Sequence, residues 1–390
     1  MEHSPGPDER APARPSRPPR RNPLNRRAQI SVAIAFIATV LSAGFQHAGV
    51  SPVLTFFTTA IALAFLATLV GEGTEQIGAR LGPGATGVLQ SGLGNLPELF
   101  IGIFLLREAA GKTPAVQAAL IGTLQAALVG SILGNSLLVL GLAFLIGGLR
   151  HGTQRFSAEP IRNIASLSML AAAALAVPTL AHNLQTSAAL HEEALSVICA
   201  IVLLVVFAAN IPFSLQGGPS AVVPAGSTAE AQAREEAAWP VWLALAILLS
   251  ASVAAAFVSS WFVDALTPAT NALHLSQSFT GLVIVAIAGN AVENLVGVQL
   301  MARNRPDYAI SVILNSSLQV ALALIPVLVL LSFVVGSVHL TLVLSPLLLG
   351  SLLLAAILIG LVVYDGESTW LEGVALIGLY VIIAAGFWWG

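Results

Sequence analysis

Long apolar runs alternate with short clusters of charge and turn residues along the whole chain. The runs lie near 28–46, 50–70, 83–106, 115–148, 161–180, 192–212, 240–262, 275–301, 308–335, 339–363 and 371–389. Many exceed the ~20 residues that a helix needs to cross hydrocarbon. The fourth is too long for one straight span, so it must tilt, break or project from the membrane. The pattern predicts an all-α membrane protein with about eleven transmembrane helices.

Two segments do not fit that pattern. Residues 1–27, with "RPSRPPRRNPLNRR", are rich in Pro and Arg and have no apolar core. They are expected to form a disordered cytosolic tail, neither a signal peptide nor a foldable domain. Residues 213–238 are rich in Gly, Pro, Ala and Ser and are expected to be a flexible cytosolic linker. One helix, 28–49, then precedes two units of five spans each, 50–212 and 239–390. Placing the N-terminus in the cytosol puts 14 of the 16 Lys and Arg residues on the cytosolic side, leaving only Arg107 and Lys112 outside. That asymmetry supports both the span count and the direction.

Composition narrows the class further. The chain is 56% hydrophobic and 9% charged, with a mean hydropathy of +0.88, whereas soluble proteins carry about a quarter charged residues. A single cysteine, Cys199, excludes an internal disulfide and a multi-cysteine metal site and reads as packing. The stretch "HEEAL" (191–195) begins like a zinc-protease motif, but Leu195 stands where the second His is needed. No G-x-S-x-G elbow is present either. The expectation is a transporter, not an enzyme, with no cofactor and no nucleic-acid partner. The Ala-, Gly- and Arg-rich composition points to a bacterial cytoplasmic membrane, with a vacuole-like organelle as the alternative.

The chemistry is concentrated in two short copies of one pattern. "GNLPELFIG" (94–102) is answered by "GNAVENLVG" (289–297), both G-N-x-x-E-x-x-x-G. An odd number of spans separates them, so the copies cross the membrane in opposite directions, as in transporters that place ion sites at the midplane between inverted repeats. Of 19 Asp and Glu residues, Glu98 and Glu293 are the two deep within spans. Asn95 and Asn290 each lie three residues before their acid, on a shared helix face. Gly94, Gly102, Gly289 and Gly297 would permit close helix approach. Pro97 would free the carbonyl of Leu93. Flanking spans add Gln125, Ser131 and Asn135, and then Ser311, Asn315, Ser316 and Gln319, with 311, 315 and 319 on one face.

Carboxylates, amides, hydroxyls and freed carbonyls are hard oxygen ligands, suited to calcium and its relatives. Two acids facing each other in a low-dielectric site cannot cheaply both be ionised, so protons or a cation must neutralise them. If both occupants use the same pair in turn, exchange follows. Packing alone explains a single Gly-Asn motif equally well. Two inverted copies, each with an intramembrane Glu, favour a site. Glu72 and Glu75 in "GEGTEQIG" (71–78) read as solvated acids at the cytosolic mouth, and His182, His191 and His274 as loop-end surface residues.

These motifs resemble those of the calcium/proton exchangers of the calcium/cation antiporter superfamily, whose GNATE-like and GNAAEH-like signatures here read GNLPE and GNAVEN. The resemblance extends through "GSILGNSLLVLG" (130–141), "NSSLQV" (315–320) and "DGESTWLEG" (365–373), and covers residue 55 to the end. It implies an eleven-span exchanger with two inverted five-helix repeats. It also implies that Glu98 and Glu293 bind Ca2+ and H+ alternately beside Asn95 and Asn290, with Ca2+ as substrate and the lipid bilayer as surroundings, and that Gln125, Ser131, Ser316 and Gln319 help line an ion path that passes Pro97. The chain departs from the family at Leu96-Pro97 and at Asn294, where His is common, and its linker carries only Glu230, Glu235 and Glu236 as acids. A sodium-driven calcium exchanger, another cation/proton antiporter and a passive channel ringed by glutamates remain the alternative readings. Sequence leaves the oligomeric state open.

Overall fold

The computed structural model describes residues 26–81, 93–215, 239–335 and 338–389. The predicted tail up to residue 25 and the linker from 216 to 238 lie outside the described residues. The helices are α1 (Arg26–Ala48), α2 (Pro52–Leu81), α3 (Leu96–Ala109), α4 (Pro114–His151), α5 (Ala158–Asn183) and α6 (Glu192–Leu215). They continue as α7 (Val241–Ala272), α8 (Gln277–Gly289), α9 (Ala291–Ala302), α10 (Pro306–Val335), α11 (Pro346–Val362) and α12 (Trp370–Trp388). Among the described residues, 8 helices are long and apolar enough to cross a membrane, and α8 and α11 are shorter apolar helices.

Helix is the answer that hydrocarbon imposes, because each backbone donor and acceptor must be satisfied within the segment. Hydroxyls obey the same rule by bonding back one turn. Ser42 donates to the Ala38 carbonyl, Thr59 to Thr55 and Thr74 to Val70, each at 2.7 Å. Large apolar side chains such as Phe36, Leu249, Phe257 and Ile382 point outward, fully consistent with a lipid-facing rim.

The predicted fourth run is one unbroken helix of 38 residues, about 57 Å at 1.5 Å per residue. It contains a widened π-type turn at Gly134–Val139, and α8 and α10 carry others at Thr280–Val285 and Val320–Leu324. Such turns gather at functional sites. The α4 and α8 backbones cross in contact. A Cβ on Gly130 would lie 2.6 Å from Leu282 Cα, and one on Gly281 would lie 3.1 Å from Ala126 Cβ.

The tenth run begins later than its hydrophobicity predicts. Residues 338–345 are non-helical, and α11 starts at Pro346. Proline disfavours helix at the residue before it, and Ser345 is extended there and caps the Leu348 N–H. The extended strap survives because side chains satisfy its backbone. Gln125 Nε2 donates to the carbonyls of Thr341 and Val343 at 3.0 Å each. Ser196 and Thr179 accept from the N–H groups of Leu342 and Leu344 at 2.9 Å, and Thr179 donates to the Leu342 carbonyl at 3.0 Å. Gln125→Leu orphans two of these carbonyls, each worth about 1 kcal/mol. A clearly lower melting temperature in detergent is expected. An unchanged one would mean that Thr179 and Ser196 hold the strap unaided.

At the opposite end, the Arg-bearing loops are tied together. A two-stranded antiparallel ribbon joins β1 (Gln154–Arg155) to β2 (Glu367–Ser368). Gln154 reaches the Met301 carbonyl and Asn304 Oδ1, and Ser157 N–H donates to Asp307. The DGESTWLEG segment serves this junction. Gly366 takes φ +77°, Glu367 pairs with Arg155 at 3.0 Å, Thr369 and Glu372 form a capping box, and Gly373 abuts Gly141. The α2 end is held to the start of α7 by Gln76 Oε1, which accepts from the Trp239 N–H at 3.1 Å, and by Arg80, which donates to the Trp239 carbonyl.

Candidate ion-binding site

The second Gly-Asn motif breaks its helix at the asparagine, and in the first the asparagine caps a helix that begins just after it. Asn95 has φ −93° and ψ 17°, Asn290 has φ −104° and ψ 15°, and α3 and α9 begin at the next residue. Glu98 and Glu293 thus occupy the third position of a fresh helix, where the helix dipole and free N–H groups favour negative charge. This corrects the expectation about Pro97. It sits in the first turn of α3, where an N–H has no helical partner to lose. The chain breaks in the same way at Asn290 with Val292 in the proline's place, so the break does not require a proline. Asn95 is likewise a cap, not a member of the helix face, and its carbonyl accepts from Leu99 N–H at 2.9 Å.

Glu98 is buried at 7% exposure in the heart of the bundle. Its Oε1 accepts from Ser131 Oγ of α4 at 2.6 Å and from Asn290 Nδ2 at 2.5 Å. Its Oε2 is buried and has no hydrogen-bond partner among the described residues. Gly289 makes room for this carboxyl, since a Cβ there would lie 2.5 Å from Glu98 Cγ. The Asn290 amide also lies 2.9 Å from Ser131 Oγ and 3.0 Å from the Ala286 carbonyl. A carbonyl only accepts, so the atom facing Ala286 is the amide nitrogen.

Three oxygens therefore converge on one point: a carboxylate of the first half, a hydroxyl from α4 and the Ala286 main-chain carbonyl, which also accepts from the Asn290 N–H at 3.2 Å. Asn290 Nδ2 fills that point. A hard cation takes such oxygens at about 2.3–2.6 Å, so this polar cluster is a candidate cation site whose oxygens now face the N–H groups of the Asn290 amide.

A second layer lies behind. Asn135 Nδ2 donates to Asn290 Oδ1 at 3.2 Å and to Ser316 Oγ at 3.0 Å, and Ser136 Oγ to Ser317 Oγ at 2.9 Å. The sequence signal for this layer is a second internal match, "SILGNSLLV" (131–139) against "VILNSSLQV" (312–320). Ser136 and Ser317 are equivalent in it, and equivalent residues touch only near the axis that relates two repeats.

The structure brings Glu98, Asn290, Ser131 and Ser316 together, with Asn95 buried beside them at 8% exposure. The backbone of Glu293 lies on α9, and its side chain is outside the described residues. Gln125 and Gln319 stand apart. Gln125 spends both N–H groups on the strap, and Gln319 is half-buried outside the hydrogen-bonded cluster. The 311–315–319 stripe turns aside as well, with Asn315 donating to Ser311 at 3.1 Å, while the adjacent Ser316 and Ser317 face the site. A Cβ on Gly102 would meet the side chain of Leu328, and one on Gly297 would meet the Ile313 side chain first and the Ala309 carbonyl at 3.8 Å. Glu72 is half-buried and Glu75 exposed.

Comparison with known proteins gives the same outline. The family model described as "Sodium/calcium exchanger protein" matches residues 51–216 and 243–389. The "Ca(2+)/H(+) antiporter" of Aphanothece halophytica is 32% identical over 350 residues, covering 86% of this chain and 90% of that protein. The "Ca(2+)/H(+) antiporter ChaA" of Bacillus subtilis (strain 168) is 32% identical over 321 residues, covering 82% and 87%. The solved "Structure of native YfkE" superposes with a TM-score of 0.76 at 27% identity, covering 92% of this chain and 100% of that one.

Proposed function

We propose that this chain, which belongs to the sodium/calcium exchanger protein family, is an antiporter that exchanges calcium for protons across a membrane. The observation that carries the reading is the convergence of Glu98 Oε1, Ser131 Oγ and the Ala286 carbonyl on a single buried point 2.5, 2.9 and 3.0 Å away. An all-oxygen set with one carboxylate suits a hard divalent cation and does not suit copper or zinc. Glu293, in the matching position of the other half, supplies the second negative charge.

The mechanism follows from neutrality. A carboxylate in this apolar setting needs either a cation or a proton, and both reach the same oxygens. Calcium therefore leaves when protons arrive, and protons leave when calcium arrives. Coupling requires that the site opens to one side at a time, which the helix break at Asn290 permits because α8 and α9 meet at the site. Relatives named as calcium/proton antiporters support this choice over sodium. The membrane is proposed to be a bacterial cytoplasmic membrane with the tail, linker and Arg-rich loops cytosolic.

The test is flux in proteoliposomes. An imposed pH gradient is expected to drive calcium uptake without sodium, with manganese and magnesium as competitors. Uptake that follows a sodium gradient after the pH gradient is collapsed would overturn the proton reading, and calcium movement only down its own gradient would mark a channel.

A further inference from the structure

We infer that Asn135 is a positioning residue that sets which end of the Asn290 amide faces the ion site, through a reversible relay ending on Ser316. The inference rests on the proposed exchange and adds a switch to it. In the structure, Asn290 turns its nitrogen toward Glu98 and its oxygen toward Asn135. Calcium accepts oxygen ligands only, so this is a cation-free arrangement. For Asn290 to ligate calcium, its amide must turn over and present Oδ1 to Glu98.

That turn points Asn290 Nδ2 at Asn135 Nδ2, two donors face to face. The conflict is removed if Asn135 turns as well and offers Oδ1. Ser316 closes the chain. Its hydroxyl now accepts from Asn135 Nδ2 at 3.0 Å, and a hydroxyl rotates freely between accepting and donating. Two amide flips and one hydroxyl rotation thus invert the polarity of the row without moving the backbone. Asparagines buried at 1% and 2% exposure are out of reach of bulk solvent, so a half-made inversion would leave donors facing donors in a low-dielectric interior and the row turns over together. The relay also joins the halves, since Asn135 lies on α4 while Asn290 and Ser316 belong to the second repeat.

The test uses the full chain in liposomes with asparagine carrying a 13C side-chain carbonyl, and records calcium-minus-proton infrared difference spectra. On calcium addition the Asn135 carbonyl gains N–H and O–H donors, so its band should move to lower frequency. The band is identified by its loss in Asn135→Leu, whose calcium turnover should fall about tenfold, the effect of one orphaned buried amide. In Ser316→Ala the same band should keep a smaller shift, which serves as the readout if the leucine variant does not fold. An Asn135 band indifferent to calcium, or an undiminished shift in Ser316→Ala, overturns the relay and leaves the exchange reading intact when proton-driven uptake persists. Absence of both the uptake and all calcium-dependent bands overturns the two together.

Discussion

Glu98→Gln protein in liposomes should take up calcium at the background rate of empty vesicles when a pH gradient is imposed. Glutamine keeps the shape and accepts from Ser131 and Asn290 as Glu98 Oε1 does, so the bundle has no reason to unfold. What it removes is the negative charge that makes the convergence point worth occupying, together with the protonatable carboxylate whose Oε1 lies there. Both substrates lose their site at once. A wild-type elution profile in detergent alongside absent flux separates this result from misfolding. Coupled uptake at even a tenth of the wild-type rate would place the exchanging group elsewhere.

The second large effect is on stability. Gly130→Val should fail to accumulate as folded protein, or should melt far below wild type in detergent. A Cβ at Gly130 would lie 2.6 Å from Leu282 Cα and 2.7 Å from its carbonyl carbon, and neither is the movable end of a side chain. The α4–α8 crossing must open, and overpacking of a tight core contact already costs about 1–3 kcal/mol where side chains alone must yield. Separation there also draws Ser131 away from Asn290, since both flank the crossing. Gly102→Ala is the gentler control, because its Cβ would meet only the terminal methyls of Leu328. Equal melting of Gly130→Val and wild type would show that the crossing has slack.

Much of this architecture was legible in the chain because a bilayer allows few solutions. Apolar runs marked where helices lie, and two copies of one motif marked where α3 and α9 begin. What periodicity missed was decided by groups it does not weigh. The strap at 338–345 is as apolar as a helix, yet it stays extended because three side chains distant in sequence, Gln125, Thr179 and Ser196, satisfy its backbone. Gln125 was legible as a polar residue in a span, but not as the anchor of that strap. The 311–315–319 stripe gave the right helix and the wrong face, since the widened turn and the crossing with α4 select Ser316 and Ser317 instead. The Ala286 carbonyl is invisible to any reading of side chains. It becomes a ligand candidate only through its place four residues before the break at Asn290.

The most direct measurement of the central claim is proton release on calcium binding. Purified protein in weakly buffered detergent solution, titrated with calcium at neutral pH, should shed protons into the medium in proportion to the calcium bound, and Glu98→Gln should shed none from this site. Saturable calcium binding with no accompanying proton release would contradict an account in which one cage of oxygens serves both ions in turn.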